Sequence, residues 1–263
     1  KEESAISSLG VGKNMVSSIQ HWAEVTGVLN IDRRDGMKAE LSEFGKSFFD
    51  DNGRDPFLEN PSSLWHLHWR LASRPTCTTW HWTFNYLSLT EFSKEQLVNL
   101  LFSLSEERGW KKSKVSTNTL KRDVDCFIQT YCPKQITAKE SHEDALSSPL
   151  VELGLISNSQ KKEVYRLNFG DKPSLSPSVL TFAVMDYWQN VTEQQANTIA
   201  LENLAYSVSS PGRTFLLDEE TLSSNLENVA DITDGLISWN EGAGIRQLSR
   251  QSKFTDADFN KIL

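Results

Sequence analysis

The stretch from Leu64 to Leu89 constrains the fold more than any other. It holds Trp65, Trp69, Trp80 and Trp82, half of the eight tryptophans in the 263-residue chain, together with Phe84 and Tyr86. Each ring carries a large apolar area that must leave water, so a cluster of this density is read as core and not as a base-stacking platform. The spacing predicts two buried helices packed on each other. The first follows Ser62-Ser63, turns inward Leu64, Trp65, Leu67, His68, Leu71 and Ala72, and ends at Pro75; the second lies within Thr78–Leu89. His66, His68 and His81 fall inside the block and invite a metal reading. No cysteine or carboxylate spacing accompanies them, so core histidines are the reading taken.

Ahead of that block, Gly10-Val11-Gly12 makes a tight turn into a helix. Met15, Val16, Ile19, Trp22, Ala23 and Val25 recur every three or four residues and are expected on its inner face. Lys13, Asn14, Ser17, Ser18 and His21 occupy the other face, a short polar set suited to phosphates and base edges in a DNA groove. Val28 to Ile31 and Met37 to Leu41 predict a hairpin carrying Arg33, Arg34 and Lys38, and Ser42 caps a further helix through Phe44 and Phe48. This order predicts a winged helix-turn-helix, an architecture that also serves as a protein-docking module.

A second such unit is expected after residue 90. Ser93-Lys94-Glu95-Gln96 opens a helix with Leu97, Leu100, Leu101 and Leu104 inward. Gly109 ends it, and the next helix buries Leu120, Val124, Phe127, Ile128 and Tyr131 while showing Thr117, Asn118, Lys121, Arg122 and Asp125. Pro149–Ile156 and Val164–Phe169 follow as a closing helix and wing strand, with Thr137–Ser148 a polar loop. Beyond it, Ser176-Pro177 starts a helix to Val191, and Thr192 and Asp218 begin two more. Ser209–Arg213 is expected to be a turn presenting Arg213, with Phe215–Leu217 and Leu236–Trp239 as strands. Gly242–Gln247 is read as helix, with Arg246 and Arg250 as phosphate contacts. The expected architecture is therefore mainly α with small β wings. Two or more winged helix-turn-helix units surround an aromatic-rich helical core, divided as residues 1–90, 91–175 and 176–263.

Several of these segments carry a resemblance. The run Gly10–Val16, His21-Trp22-Ala23, Leu41–Gly45, Asp55-Pro56, Leu64–Trp69, Thr78–Asn85, Ser210–Phe215, Trp239-Asn240-Glu241 and Arg246–Leu248 together resemble the SspB-like family of Ssp-type DNA phosphorothioation systems. That bacterial family, formerly of unknown function, is encoded beside enzymes resembling phosphoadenosine-phosphosulfate reductase, and the resemblance covers nearly the whole chain. It implies a DNA-binding component that nicks or opens DNA for sulfur incorporation, double-stranded DNA as partner, and sulfur-transfer and ATP-using proteins alongside. It also implies a further stretch ahead of the glycine turn. It carries over no catalytic motif residue by residue.

Charge limits the mode of binding. A net charge of −8 excludes a protein that coats DNA through bulk counterion release. The charges are segregated, however: Arg108, Lys111, Lys112, Lys114, Lys121 and Arg122 occur without an acid between them, and Asp218 to Glu241 holds seven acids and no base. Either one basic face meets nucleic acid and one acidic face repels it, or both are solvated helical faces. Cys77, Cys126 and Cys132 show no CxxC pair and are read as reduced thiols. No apolar run has membrane-spanning length and no signal peptide opens the chain, so a cytoplasmic protein is expected.

The sequence contains no Gly-x-Ser-x-Gly, no Walker loop and no zinc-hydrolase spacing. A nuclease centre would need carboxylates around magnesium or manganese. The acid-rich loop near the aromatic block offers Asp55 and Glu59, with His68 following, as candidates. The rival expectation is a non-catalytic adaptor that docks the sulfur-transfer enzyme through its winged-helix surfaces.

Overall fold

The computed structural model of the protein describes residues 7–34, 38–110, 115–133, 147–161, 163–190, 196–242 and 244–263. The chain is mainly helical with small antiparallel sheets and divides into two compact units, residues up to Leu71 and from Ala72 onward. Residues 91–175 and 176–263 thus share one unit. Among the described residues no helix is long and apolar enough to cross a membrane.

The first unit opens with α1 (Lys13–Val25), whose C-terminal turn closes as Thr26 Oγ1 donates to Trp22 O at 2.7 Å. Strands β1 (Leu29–Asp32) and β2 (Lys38–Leu41) pair antiparallel, Leu29 opposite Leu41. Ser42 caps α2 (Glu43–Phe49): its Oγ accepts from Gly45 N at 2.8 Å and donates to Gly27 O at 2.5 Å, tying the helix start to the end of α1. Gly45 is required there, because a Cβ would strike the Val28 carbonyl. Phe44 and Phe48 stack beside His66 of α3 (Pro61–Ala72), and the Arg70 guanidinium lies 3.8 Å from the Phe44 ring centroid.

Two expectations in this unit are corrected. No residue of α1 is buried, and Met15 and Ile19 are 56% and 44% exposed. Towards the C-terminal end of the helix Trp22, Ala23 and Val25 are half-buried, whereas Met15 and Ile19 towards its start stand in solvent. The α3 helix begins at Pro61, one residue ahead of Ser62-Ser63. Asn60 Oδ1 accepts from Ser62 N at 2.9 Å and Pro61 takes the first helical turn, where its missing N–H costs nothing.

The turn into α3 is held by Asp55, which is 7% exposed. Its carboxylate accepts from Glu59 N at 2.8 Å and Asn60 N at 3.0 Å, and from the Ser63 side chain. Burial opposes its ionisation. The three hydrogen bonds outweigh that and hold the carboxyl below its ordinary range.

In the second unit, α4 (Thr78–Tyr86) sets Trp80 and Phe84 against Phe127 and Tyr131 of α6 (Thr117–Tyr131), with ring centroids 5.2–5.8 Å apart in edge-to-face contacts. Between them in sequence, β3 (Glu91–Ser93) leads into α5 (Lys94–Glu107), started by a capping box of Ser93 and Gln96. After a 3₁₀ turn at Pro149–Leu153 come β4 (Ile156–Asn158) and β5 (Val164–Leu167), in the order β3-β5-β4. The unit continues through α7 (Pro177–Asn190), β6 (Thr198–Ala200), α8 (Leu201–Tyr206), α9 (Pro211–Phe215), α10 (Glu219–Leu226) and α11 (Val229–Ile232). It closes with β7 (Ile237–Gly242), β8 (Ile245–Arg250) and α12 (Asp256–Ile262), the strands ordered β6-β8-β7.

Two further segments differ from expectation, and the helix expected from Thr192 falls outside the described residues. Ser210-Pro211-Gly212-Arg213-Thr214-Phe215 is helix, with no strand over 215–217: Ser210 Oγ caps Arg213 N at 3.3 Å, Pro211 suits the first turn, and Gly212 lets α9 approach the Ala205 backbone, where a Cβ would clash. Gly242 to Gln247 is the bend of a hairpin, with Gly242 paired to Ile245 and Gly244 at φ +80°. A two-residue loop needs that left-handed backbone, which glycine adopts without strain.

Gly45→Ala is expected to destabilise the first unit by about 1–3 kcal/mol through overpacking against Val28, checked by urea unfolding followed by circular dichroism. Asp55→Asn should cost about 1 kcal/mol at neutral pH. Because the Asp55 pKa is lowered on folding, its stabilisation is present above the unfolded carboxylate pKa near 4 and disappears as pH falls through the folded value. The stability gap between Asp55→Asn and the parent should therefore close on acidification below about pH 4.

Candidate nucleic-acid interface

The α6 helix sorts its residues cleanly. Leu120, Val124, Phe127, Ile128 and Tyr131 are buried, and Thr117, Asn118, Lys121 and Arg122 are exposed on the opposite side. Ser116 begins it, its Oγ accepting from Thr119 N at 3.1 Å, so the positive end of the helix dipole and the two cations lie within two turns. Its acids are engaged: Thr79 Oγ1 donates to Asp123 at 3.3 Å, and Lys94 Nζ to Asp125 at 2.5 Å. Lys121 and Arg122 pair with no carboxylate among the described residues. Lys111, Lys112 and Lys114 lie outside the described residues.

Beside this face, the β4–β5 hairpin carries Lys161 and Arg166, both held by Glu91 of β3, at 3.7 and 2.6 Å. A cleft of about 480 Å³ between the last turn of α6 and the hairpin is lined by Gln129, Asn158, Ser159, Lys161 and Tyr165 among others. A second, of about 340 Å³, lies at the α5–α6 turn between Phe102 and Trp110. Nothing in the helical spacing flagged these two rings, because Phe102 falls off the leucine stripe and Trp110 sits beyond the helix.

In the first unit Lys13, Asn14, Ser17, Ser18 and His21 are all exposed on α1, as the spacing predicts. Of the hairpin cations, Arg33 clasps Glu24 with two bonds of 2.5 and 2.6 Å, and Arg34 binds Asp32 at 3.0 Å. These pairs occupy guanidinium groups that the sequence offered as wing contacts.

The C-terminal arginines are engaged within the protein. Arg213 is half-buried and donates through Nε and Nη2 to Asn85 O, at 3.1 and 2.8 Å, and to Leu87 O at 3.4 Å; burial lowers its pKa. Instead of standing out on a turn, it closes the C-terminal end of α4. Arg246 is ion-paired to Glu219 across from β8. Arg250, only 6% exposed, lies over the rings of Trp188 and Phe254, at 5.1 and 5.3 Å. A guanidinium laid across aromatic faces is a core element.

The candidate catalytic set is placed as follows. Asp55 spends its carboxylate on the turn, Glu59 is exposed, and His68 is fully buried. His66 is 2% exposed, and burial, with the Arg70 and Arg54 charges adding to it, pushes it down to about 3; it is neutral at physiological pH. His81 Nδ1 lies 3.1 Å from Ala72 O, inside the second unit. Among the described residues, no three His, Cys, Asp or Glu side chains stand together as a metal-ligand set.

Set beside known proteins, the architecture has relatives. No curated protein matches the sequence. Two solved structures do, a magnesium-ion-bound SspB and an SspB, each 28% identical and each matched over 98% of this chain and 77% of its own, with TM-scores of 0.88 and 0.86. The model of a family described as a protein of unknown function, DUF4007, matches residues 1–263, and the chain belongs to that family.

Proposed function

We propose that this chain is the DNA-holding component of a DNA phosphorothioate modification system, with α1 and α6 acting as recognition helices of winged helix-turn-helix units. The observation that carries the reading is the outer face of α6. Most described arginines are neutralised by a carboxylate or laid into the core, yet Lys121 and Arg122 stay exposed and unpaired among the described residues, beside Asn118 and the helix start. Exposed lysine and arginine supply phosphate contacts and their salt dependence, and asparagine can read adenine. The order α4, β3, α5, α6, β4, β5, with β3 joined to β5, is the order of a winged helix and supports the same reading.

The likeness to SspB extends the proposal to nicking or opening the target for sulfur insertion, in company with sulfur-transfer and ATP-using proteins. One SspB structure holds magnesium. The described residues of this chain do not assemble a ligand set for that ion, and Asp55 is occupied by three donors.

A second reading, a protein adaptor that docks the sulfur-transfer enzyme, draws on a specific feature: the exposed Met15 and Ile19 of α1, which an apolar partner surface would cover.

The double substitution Lys121→Glu, Arg122→Glu should weaken binding to a short duplex at least about ten-fold at low salt and reduce the slope of log K against log salt by about 2. An unchanged slope would remove α6 from the interface. Incubation with supercoiled plasmid, with and without magnesium or manganese, separates nicking from holding: open circles mark a nickase, and a salt-sensitive shift alone marks a holding subunit. If α1 is a docking face and does not read DNA, Met15→Glu with Ile19→Glu should abolish co-purification with the sulfur-transfer enzyme and leave the shift intact; if α1 reads DNA, the added carboxylates should weaken the shift.

A further inference from the structure

The short helix α9 is surrounded by apolar side chains that the protein leaves in water. Tyr86, Leu89, Phe169, Tyr206 and Val208 are exposed, from 60% at Tyr206 to 37% at Val208. They are scattered along the sequence, and hydrogen bonds gather them. Ser209 N donates to Asn85 Oδ1 at 2.8 Å, which brings the Val208 and Tyr86 backbones together. Arg213 of α9 reaches Asn85 O and Leu87 O, at 2.8 and 3.4 Å, just ahead of Leu89. Leu167 N bonds Thr90 O at 2.9 Å and Gly170 N bonds Leu216 O at 3.0 Å, so Phe169 is held between the approach to β3 and the C-terminal end of α9. Tyr206 ends α8, and its hydroxyl donates to Glu219 at 2.9 Å. Single exposed apolar residues need no explanation, whereas a group of them around one element marks a surface that another molecule covers. Tyrosine suits such a surface, because its ring gives up apolar area while its hydroxyl keeps a polar partner.

The charges around the group select the occupant. Asp171 follows Phe169 by two residues, Glu202 lies one turn before Tyr206 on α8, and Glu220 stands beside Glu219 in the first turn of α10. All three are exposed and form no ion pair among the described residues. The nearby cations are committed: Arg213 and Lys172 to backbone carbonyls, Arg246 to Glu219, Arg166 to Glu91. A phosphate backbone arriving here would meet uncompensated carboxylates, so the surface does not suit nucleic acid. Two copies of the chain set face to face would oppose the same acids across the seam. We infer that the surface around α9 docks a protein partner through a basic face with an apolar centre. The partner lays apolar side chains on Tyr86, Tyr206 and Val208, and lysine or arginine against Asp171, Glu202 and Glu220. The surface uses no residue of α1 or of the outer face of α6, and it leaves both to DNA.

The test measures binding of the full chain to the purified sulfur-transfer and ATP-using proteins by interferometry, at low and high salt. Only the choice of these two probes rests on the phosphorothioation reading. One of them is expected to bind the parent, more weakly at high salt. Tyr206→Ser with Val208→Ser should weaken that binding at least about ten-fold, with circular dichroism and duplex affinity unchanged. Glu202→Lys with Glu220→Lys should weaken it at low salt and flatten its salt dependence. Binding that survives both pairs, or that is lost only with Met15→Glu and Ile19→Glu, overturns the inference. Self-association of the parent that the serine pair abolishes assigns the surface to a second copy and overturns it too. Binding of neither protein to the parent also overturns it, and the duplex shift measured alongside decides the DNA-holding reading separately.

Discussion

Asn85 is the point on which the second unit turns. Its amide nitrogen donates to Ala72 O and His81 O, its amide oxygen accepts from Ser209 N, and its backbone carbonyl takes two bonds from Arg213. The residue is 3% exposed, so each of these groups would carry the full cost of desolvation if its partner were removed. One side chain thereby joins the start of the unit, α4 and the approach to α9, across separations of more than a hundred residues. The aromatic packing of Phe84 and Trp80 on α6 depends on α4 ending where it does. The face of α6 that carries Lys121 and Arg122 is thus oriented by a polar latch on the far side of its core.

The legible part of this fold was the part written in helical periodicity. The burial of Leu120, Val124, Phe127 and Tyr131 follows from spacing alone, as do the caps at Ser42 and Ser93, because a short side chain before an apolar stripe has one local use. What failed was glycine and arginine. Ser210-Pro211-Gly212 has the composition of a turn, yet its glycine answers the close approach of Ala205 in the helix just before it, which turn composition does not record. Arg213 and Arg250 looked like surface cations because partners that hold them, a carbonyl of α4 and the ring of Trp188, lie far away in sequence. The exposed polar set on α1 was legible, whereas the apolar set expected to be buried opposite it is not buried. Of the candidate site, Asn118, Lys121 and Arg122 were readable, and Trp110 was not.

The acidic balance of the chain is compatible with a nucleic-acid partner because charge is sorted by pairing. Glu24, Asp32, Glu91, Asp186 and Glu219 each hold an arginine, and Asp125 holds Lys94. Exposed pairs of this kind contribute little to stability, about 0–1 kcal/mol each. Their larger effect is to cancel local fields, so that the residues left unpaired on α6 set the potential that an approaching phosphate meets over a Debye length of about 8–10 Å. Net charge then governs solubility, and the local arrangement governs recognition.

The first unit makes the complementary point about stability and binding. A thirteen-residue helix is marginal in water by itself and is kept by whatever buries one of its faces. In α1 no residue is buried, and Met15 and Ile19, about half exposed, each forgo about half of the 1.5–3 kcal/mol that burying a fully exposed side chain supplies. What anchors the helix is its C-terminal end, through Thr26, the Gly27 carbonyl held by Ser42, and the Arg33–Glu24 clasp. Its N-terminal half carries Lys13, Asn14, Ser17 and Ser18, all exposed, and is the part proposed to meet a partner. Binding there would supply the burial that the unit itself withholds, so occupancy of the α1 face and order in its first turns are coupled by the same free energy.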